Sequence, residues 1–112
     1  MDIGGVENVI TGNVINRTHD TLPGIDLTGA DNNVVSNNLI QNAGTDGILL
    51  AADADANVIT GNRITGSGGY GVNISASTVD DTILSQNSLA GNTTAAFQDL
   101  GTNSQIGLNV TS

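Results

Sequence analysis

Cysteine, tryptophan and lysine are absent from the 112 residues, and proline, phenylalanine, tyrosine and histidine occur once each. Without cysteine there is no disulfide framework. With so few aromatic side chains, any core has to be aliphatic. Two arginines stand against 11 acidic residues, a formal charge of −9. Such a surface makes nucleic acid and anionic membranes poor partners, and it repels an acidic polysaccharide unless calcium bridges the two. No apolar run approaches the ~20 residues of a spanning helix, and nothing ahead of residue 8 reads as a signal peptide. Helical periodicity is missing as well: no stretch carries apolar residues at i, i+3, i+4 and i+7 for three turns.

What the chain does have is a line written four times: Asn8-Val9-Ile10-Thr11-Gly12-Asn13-Val14-Ile15, Asn33-Val34-Val35-Ser36-Asn37-Asn38-Leu39-Ile40, Asn57-Val58-Ile59-Thr60-Gly61-Asn62-Arg63-Ile64 and Thr82-Ile83-Leu84-Ser85-Gln86-Asn87-Ser88-Leu89. A second motif keeps the same beat as Gly24-Ile25-Asp26-Leu27, Gly47-Ile48-Leu49-Leu50 and Gly71-Val72-Asn73-Ile74. A fixed period of this length is the mark of a solenoid, one repeat to a coil. At ~3.3 Å per residue, about 24 residues make three short strands and three turns. The chain therefore reads as a single all-β domain over residues 1–112, with coils at 8–32, 33–56, 57–81 and 82–105 and a degenerate end at 106–112.

Gly12-Asn13 and Gly61-Asn62 suit sharp corners, because both residue types accept positive φ. Stacked at that corner, Asn13, Asn38, Asn62 and Asn87 are expected to bond side chain to side chain as a ladder. Alternation then sends Ile25, Leu27, Ile48, Leu50, Val72, Ile74, Ile15, Ile40, Ile64 and Leu89 inward. It leaves Asp26, Leu49 and Asn73 outward on one file, and Val9, Val34, Val58 and Ile83 on another. Near the end, Ala95-Ala96-Phe97-Gln98-Asp99-Leu100 loses the Gly-led line. No helix caps the first coil, so its strand edges need a cover. The expected covers are upstream coils of a longer β-helix, with Met1 a start supplied by expression, or a second copy of the chain in a homo-oligomer.

The asparagine lines and the Gly-Ile/Val-x-Leu/Ile lines resemble the right-handed parallel β-helix repeat of the pectin-lyase-like superfamily, over roughly residues 6 to 108. That superfamily holds pectate and pectin lyases, polygalacturonases, alginate lyases, mannuronan C5-epimerases and phage tailspikes, so the resemblance implies a fold more sharply than a function. It implies an extracellular, cell-surface or virion-associated protein. It also implies a saccharide groove along the Gly-led strands and the turn before them, where Arg17, His19, Asp20, Asp26, Asp46, Tyr70, Asn73 and Gln98 fall.

A lyase or epimerase must neutralise a uronate, abstract the C5 proton and handle a second proton; Arg17, His19 and Tyr70 are suitable types. Arg17 and His19 belong to the first coil and Tyr70 to the third, ~10 Å apart at two strand spacings. Tyr70-Gly71 begins the epimerase motif Tyr-Gly-Phe-Asp-Pro-His without continuing it. A polygalacturonase needs clustered carboxylates; Asp26 and Asp46 lie within one coil of each other, but Leu49 and Asn73 interrupt the file. Asp31, Asp53, Asp55, Asp80 and Asp81 recur in one turn of successive coils, where stacked carboxylates suit Ca²⁺; solvated charges that keep strand edges apart account for them as well. The sequence thus points to a structural or carbohydrate-facing segment of a larger polysaccharide-recognising protein, without a complete active site or cofactor of its own. The alternatives are a lyase or C5-epimerase acting on uronate polymers, and a self-associating scaffold.

Overall fold

A computed structural model describes residues 1–112. The first coil holds β1 (Val9–Thr11), β2 (Val14–Asn16) and β3 (Ile25–Asp26); the second β4 (Val34–Ser36), β5 (Leu39–Gln41) and β6 (Ile48–Leu50). The third holds β7 (Val58–Thr60), β8 (Arg63–Thr65) and β9 (Tyr70–Ile74); the fourth β10 (Ile83–Ser85) and β11 (Ala95–Asp99); and β12 (Gln105–Ile106) opens a fifth. Each strand pairs in parallel with its counterpart one coil away, which gives three sheets: β1-β4-β7-β10-β12, β2-β5-β8 and β3-β6-β9-β11. There is no helix, and the architecture is a parallel β-solenoid of about four turns. In the fourth coil the second sheet thins to single bridges from Ser88 to Arg63 and to Val110.

Alternation decides what lies inside. Val35, Ile59 and Leu84 are fully buried, as are Ile25, Ile48 and Val72, Leu27, Leu50 and Ile74, and Ile40, Ile64 and Leu89. These aliphatic files stack along the solenoid axis, each side chain on its equivalent one coil away, so burial repeats with the sequence. The glycine that leads each third-sheet strand is there for space: a Cβ on Gly47 would lie 2.2 Å from Ile64 Cγ2, and one on Gly24 2.7 Å from Ile40 Cγ2. The Gly-led line does not end at the third coil. Strand β11 keeps its register on β9 as Phe97↔Val72 and Gln98↔Asn73, with Ala96 in the glycine's place.

At the corner between the first and second sheets the expected asparagine ladder is present. Asn38 Oδ1 accepts from both Asn13 N and Asn13 Nδ2, each at 3.0 Å. The same pair of bonds joins Asn38 to Asn62, Asn62 to Asn87 and Asn87 to Asn109. The remaining Nδ2 hydrogen reaches an inner carbonyl, that of Ile10, Val35, Ile59 or Leu84. Asn109 is a fifth rung: the spacings run 25, 24, 25 and then 22, because the last turn is three residues shorter. The segment that looked degenerate continues the coil.

The other end differs from expectation too. Met1 O accepts the Asp26 N–H at 2.7 Å, Ile3 N donates to Asp26 O at 2.8 Å, and Asp2 bridges Asp26, so residues 1–3 lie beneath β3 as a further strand segment. Ile3 packs on the core, and Ile10, Ile25 and Leu27 are buried within the chain itself. Val9 and Val14 remain exposed, at 69% and 71%.

Candidate functional site on the third sheet

The third sheet gathers most of the polar residues singled out above. Its register, Asp26↔Leu49, Leu49↔Asn73 and Asn73↔Gln98, forms one outward file up the axis at ~4.8 Å per step, and Asp2 extends it below. All four members are half-buried. Beside the file, at the strand starts, lie Asp46 and the half-buried Tyr70. Asp46 is 9% exposed and does not turn down toward Asp26. Its Oδ1 accepts the Tyr70 N–H at 2.8 Å and its Oδ2 the Asn73 Nδ2 at 3.0 Å, both from the next coil. Two carboxylates one coil apart are thereby separated in role: Asp46 ties coils together, while Asp26 Oδ1 holds its own Thr28 through N and Oγ1 at 2.9 and 2.6 Å. The Asn73 Oδ1 is buried without a partner.

At the foot of the file is an open hollow of about 270 Å³ lined by Met1, Asp2, Leu22, Pro23 and Asp26. The sequence carried a signal for it: Asp2-Ile3-Gly4-Gly5 anticipates Asp26-Leu27-Thr28-Gly29 one period ahead.

The proton-handling candidates are not brought onto this file. Arg17 sits exposed at a corner with φ 61°, its N–H donating to Gln41 O at 2.9 Å. His19 and Asp20 are exposed in the turn that follows, and His19 Nδ1 lies 3.0 Å from Thr21 Oγ1. Of the three, Tyr70 alone is in a strand of the sheet.

The acidic turn is a carboxylate stack. Asp31 Oδ1 accepts the Asp55 N–H at 2.9 Å, Asp55 Oδ1 the Asp80 N–H at 3.0 Å, and Asp80 Oδ1 the Asp81 N–H and an Asn103 Nδ2 hydrogen. Asp53 is exposed outside this stack. Asp31 and Asp55 thus each accept a backbone N–H from the coil above, the reverse of the ladder asparagines, whose Oδ1 atoms accept from the coil below. No group of three or more His, Cys, Asp or Glu is arranged to hold a metal ion.

A parallel solenoid with buried asparagine rungs and a polar third sheet defines a β-helix repeat protein. The chain belongs to the NosD family: the family model described as "Periplasmic copper-binding protein (NosD)" matches residues 3–111, nearly its whole length. No curated protein and no solved structure matches it. Copper is held by thiolate, thioether and imidazole. Here there is no cysteine, the single methionine is Met1, and the single histidine is His19, whose Nδ1 faces Thr21 Oγ1. These residues do not fit a copper site.

Proposed function

We propose that this chain is a saccharide-facing β-solenoid segment of a larger extracytoplasmic, polysaccharide-recognising protein, and that it works by presenting a surface rather than by catalysing a reaction. The observation that carries the reading is the outward file Asp26, Leu49, Asn73 and Gln98, held in direct register with Tyr70 alongside. A row of hydrogen-bonding groups with one apolar member and a neighbouring aromatic ring matches what an extended sugar chain offers, hydroxyls at the rim and C–H groups on the ring face. The periplasmic description of the family supports placement outside the cytoplasm. Catalysis is disfavoured because Arg17 and His19 stay in the exposed turn while Tyr70 stands two coils away. The test is affinity electrophoresis of the chain through gels that contain soluble polysaccharides. Retardation that Tyr70→Ala and Gln98→Ala both weaken is expected; mobility unchanged by every polymer would refute the reading.

A second reading, self-association, has one observation in its favour. The outward files of the first sheet, Val9, Val34, Val58 and Ile83 with Thr11, Ser36, Thr60 and Ser85, carry no charge in a chain of net charge −9. Two copies meeting there would avoid bringing like charges together. The strip is about 20 Å by 10 Å from strand spacing and rise, roughly 200 Å², against ~800 Å² a side in a stable complex. Association through it alone is therefore weak, and sedimentation across a concentration series should show monomer until the highest concentrations.

A further inference from the structure

Resting on the saccharide-facing reading, we infer that the polymer this sheet accepts is uncharged and that polyuronates are excluded from it. The reason is the sign of every charged side chain on the face. Asp26 sits on the central file, Asp2 bridges to it from below, and Asp46 flanks it. No side-chain cation answers them, and the Met1 ammonium at the foot of the sheet is engaged by Gly24 O at 2.8 Å. The chain has no lysine, and its two arginines lie elsewhere: Arg63 on β8 of the second sheet, in register with Leu39, and Arg17 at the corner after β2, exposed.

Hydrogen-bonding character points the same way. A carboxylate is an acceptor only, whereas a sugar hydroxyl both donates and accepts. Asp26 spends one oxygen on Thr28 and has a second with which to take a hydroxyl proton; the amide of Gln98 and the phenol of Tyr70 can serve either role. A neutral sugar satisfies all three. A uronate oxygen brought to Asp26 meets another acceptor of the same charge, and a uronate repeats that charge on every residue of the polymer. Leu49, between Asp26 and Asn73, offers its apolar surface to the C–H face of a ring and nothing to an anion.

The experiment is a competition on the same chain in affinity gels, with a neutral β-glucan and galactomannan on one side and polygalacturonate and alginate on the other, at low and high salt. Retardation by a neutral polymer, insensitive to salt, with the uronates at least about tenfold weaker, is the expected result. Leu49→Lys places a cation on the file at a half-buried position and should bring uronate binding that high salt removes. Equal or stronger retardation of the unsubstituted chain by a uronate overturns the inference and leaves the saccharide reading standing. Silence with all four polymers overturns both. A Leu49→Lys variant that stays folded by circular dichroism yet gains no uronate binding also counts against the inference, because the face would then not be set by its charge.

Discussion

Two corners of the same coil do the same job with unequal success. At the first, between β1 and β2 and their equivalents, five asparagines from Asn13 to Asn109 bond without interruption. At the second, just ahead of β1 and its equivalents, Asn8, Asn33 and Asn57 make the same paired bonds, Asn8 to Asn33 at 2.8 and 3.1 Å and Asn33 to Asn57 at 2.9 and 3.1 Å. The next place then falls to Thr82, whose Oγ1 is buried with no partner. The backbone differs in the same direction. The residue ahead of each of the first four places takes positive φ at both corners, but the first supplies Gly12, Asn37, Gly61 and Gln86, and the second Glu7, Asn32, Ala56 and Asp81. The first corner draws two of its four from glycine, which pays no Cβ penalty there; the second draws none. A ladder is thus as good as its worst rung and the bend that aims it, and the contrast can be pushed in either direction by single substitutions.

The largest effect is expected from breaking the better corner. Asn38→Ala removes the acceptor of Asn13 N and Nδ2, the donor to Ile10 O, and the two donations to Asn62 become one, since only the backbone N–H remains. Leaving buried groups unsatisfied costs about 1–3 kcal/mol, and this site, with partners on both sides, should sit near 3. Asn57→Ala at the weaker corner strands Asn33 in the same way but has no rung above it to lose, so about 2 kcal/mol is expected. Chemical-denaturation midpoints of the two variants test the order. Equal losses, or none at Asn38, would show that the ladder contributes less than its bonds suggest.

How much of this was legible in the sequence follows from which features are periodic. The strands, the inward aliphatic files and the first ladder repeat at 23 to 25 residues, and Gly-Asn pairs punctuate the corner, so their positions could be read directly. The second ladder was equally periodic, since Asn8, Asn33, Asn57 and Thr82 open the four lines. It passed unread because nothing beside it resembles a glycine turn and its bends are made by residues such as Ala56 that do not advertise positive φ. Asn109 was hidden by a turn that is three residues short. The role of Asp46 was not readable at all: its partners Tyr70 and Asn73 are 24 and 27 residues away, and pattern alone does not tell whether a carboxylate leans up or down the stack. The site is legible as a file, and its bonding is not.

Repairing the weaker corner gives a smaller effect of opposite sign. Thr82→Asn is of similar size and would offer Oδ1 to Asn57 N and Nδ2 from the position Thr82 now holds beside it in register. One completed rung, with an orphaned hydroxyl removed, is expected to stabilise by about 1 kcal/mol. Thr82→Val is the control: it deletes the unpartnered hydroxyl without adding a rung and should fall between the two. A ranking of Asn above Val above Thr in thermal midpoint supports the comparison. Thr82→Asn below wild type would mean the corner cannot accept a fourth rung.

The smallest effect concerns the bend itself. Ala56 holds φ 55° immediately before Asn57, where the equivalent of the other corner, Gly61, holds 69° before Asn62. An L residue with a Cβ pays roughly 1–2 kcal/mol in that region, while glycine in its place costs about 0.5–1 kcal/mol through the greater freedom of the unfolded chain. The difference leaves Ala56→Gly stabilising by about 0.5 kcal/mol. Because the strain resides in the backbone and not in the ladder, the gain should add to that of Thr82→Asn if the bend is already well aimed, and exceed the sum if a relaxed bend lets the new asparagine reach Asn57 more squarely. A double-mutant cycle on denaturation midpoints separates these, and a combined gain smaller than either single one would show that Ala56 is strained in order to place Asn57, with relief at one costing alignment at the other.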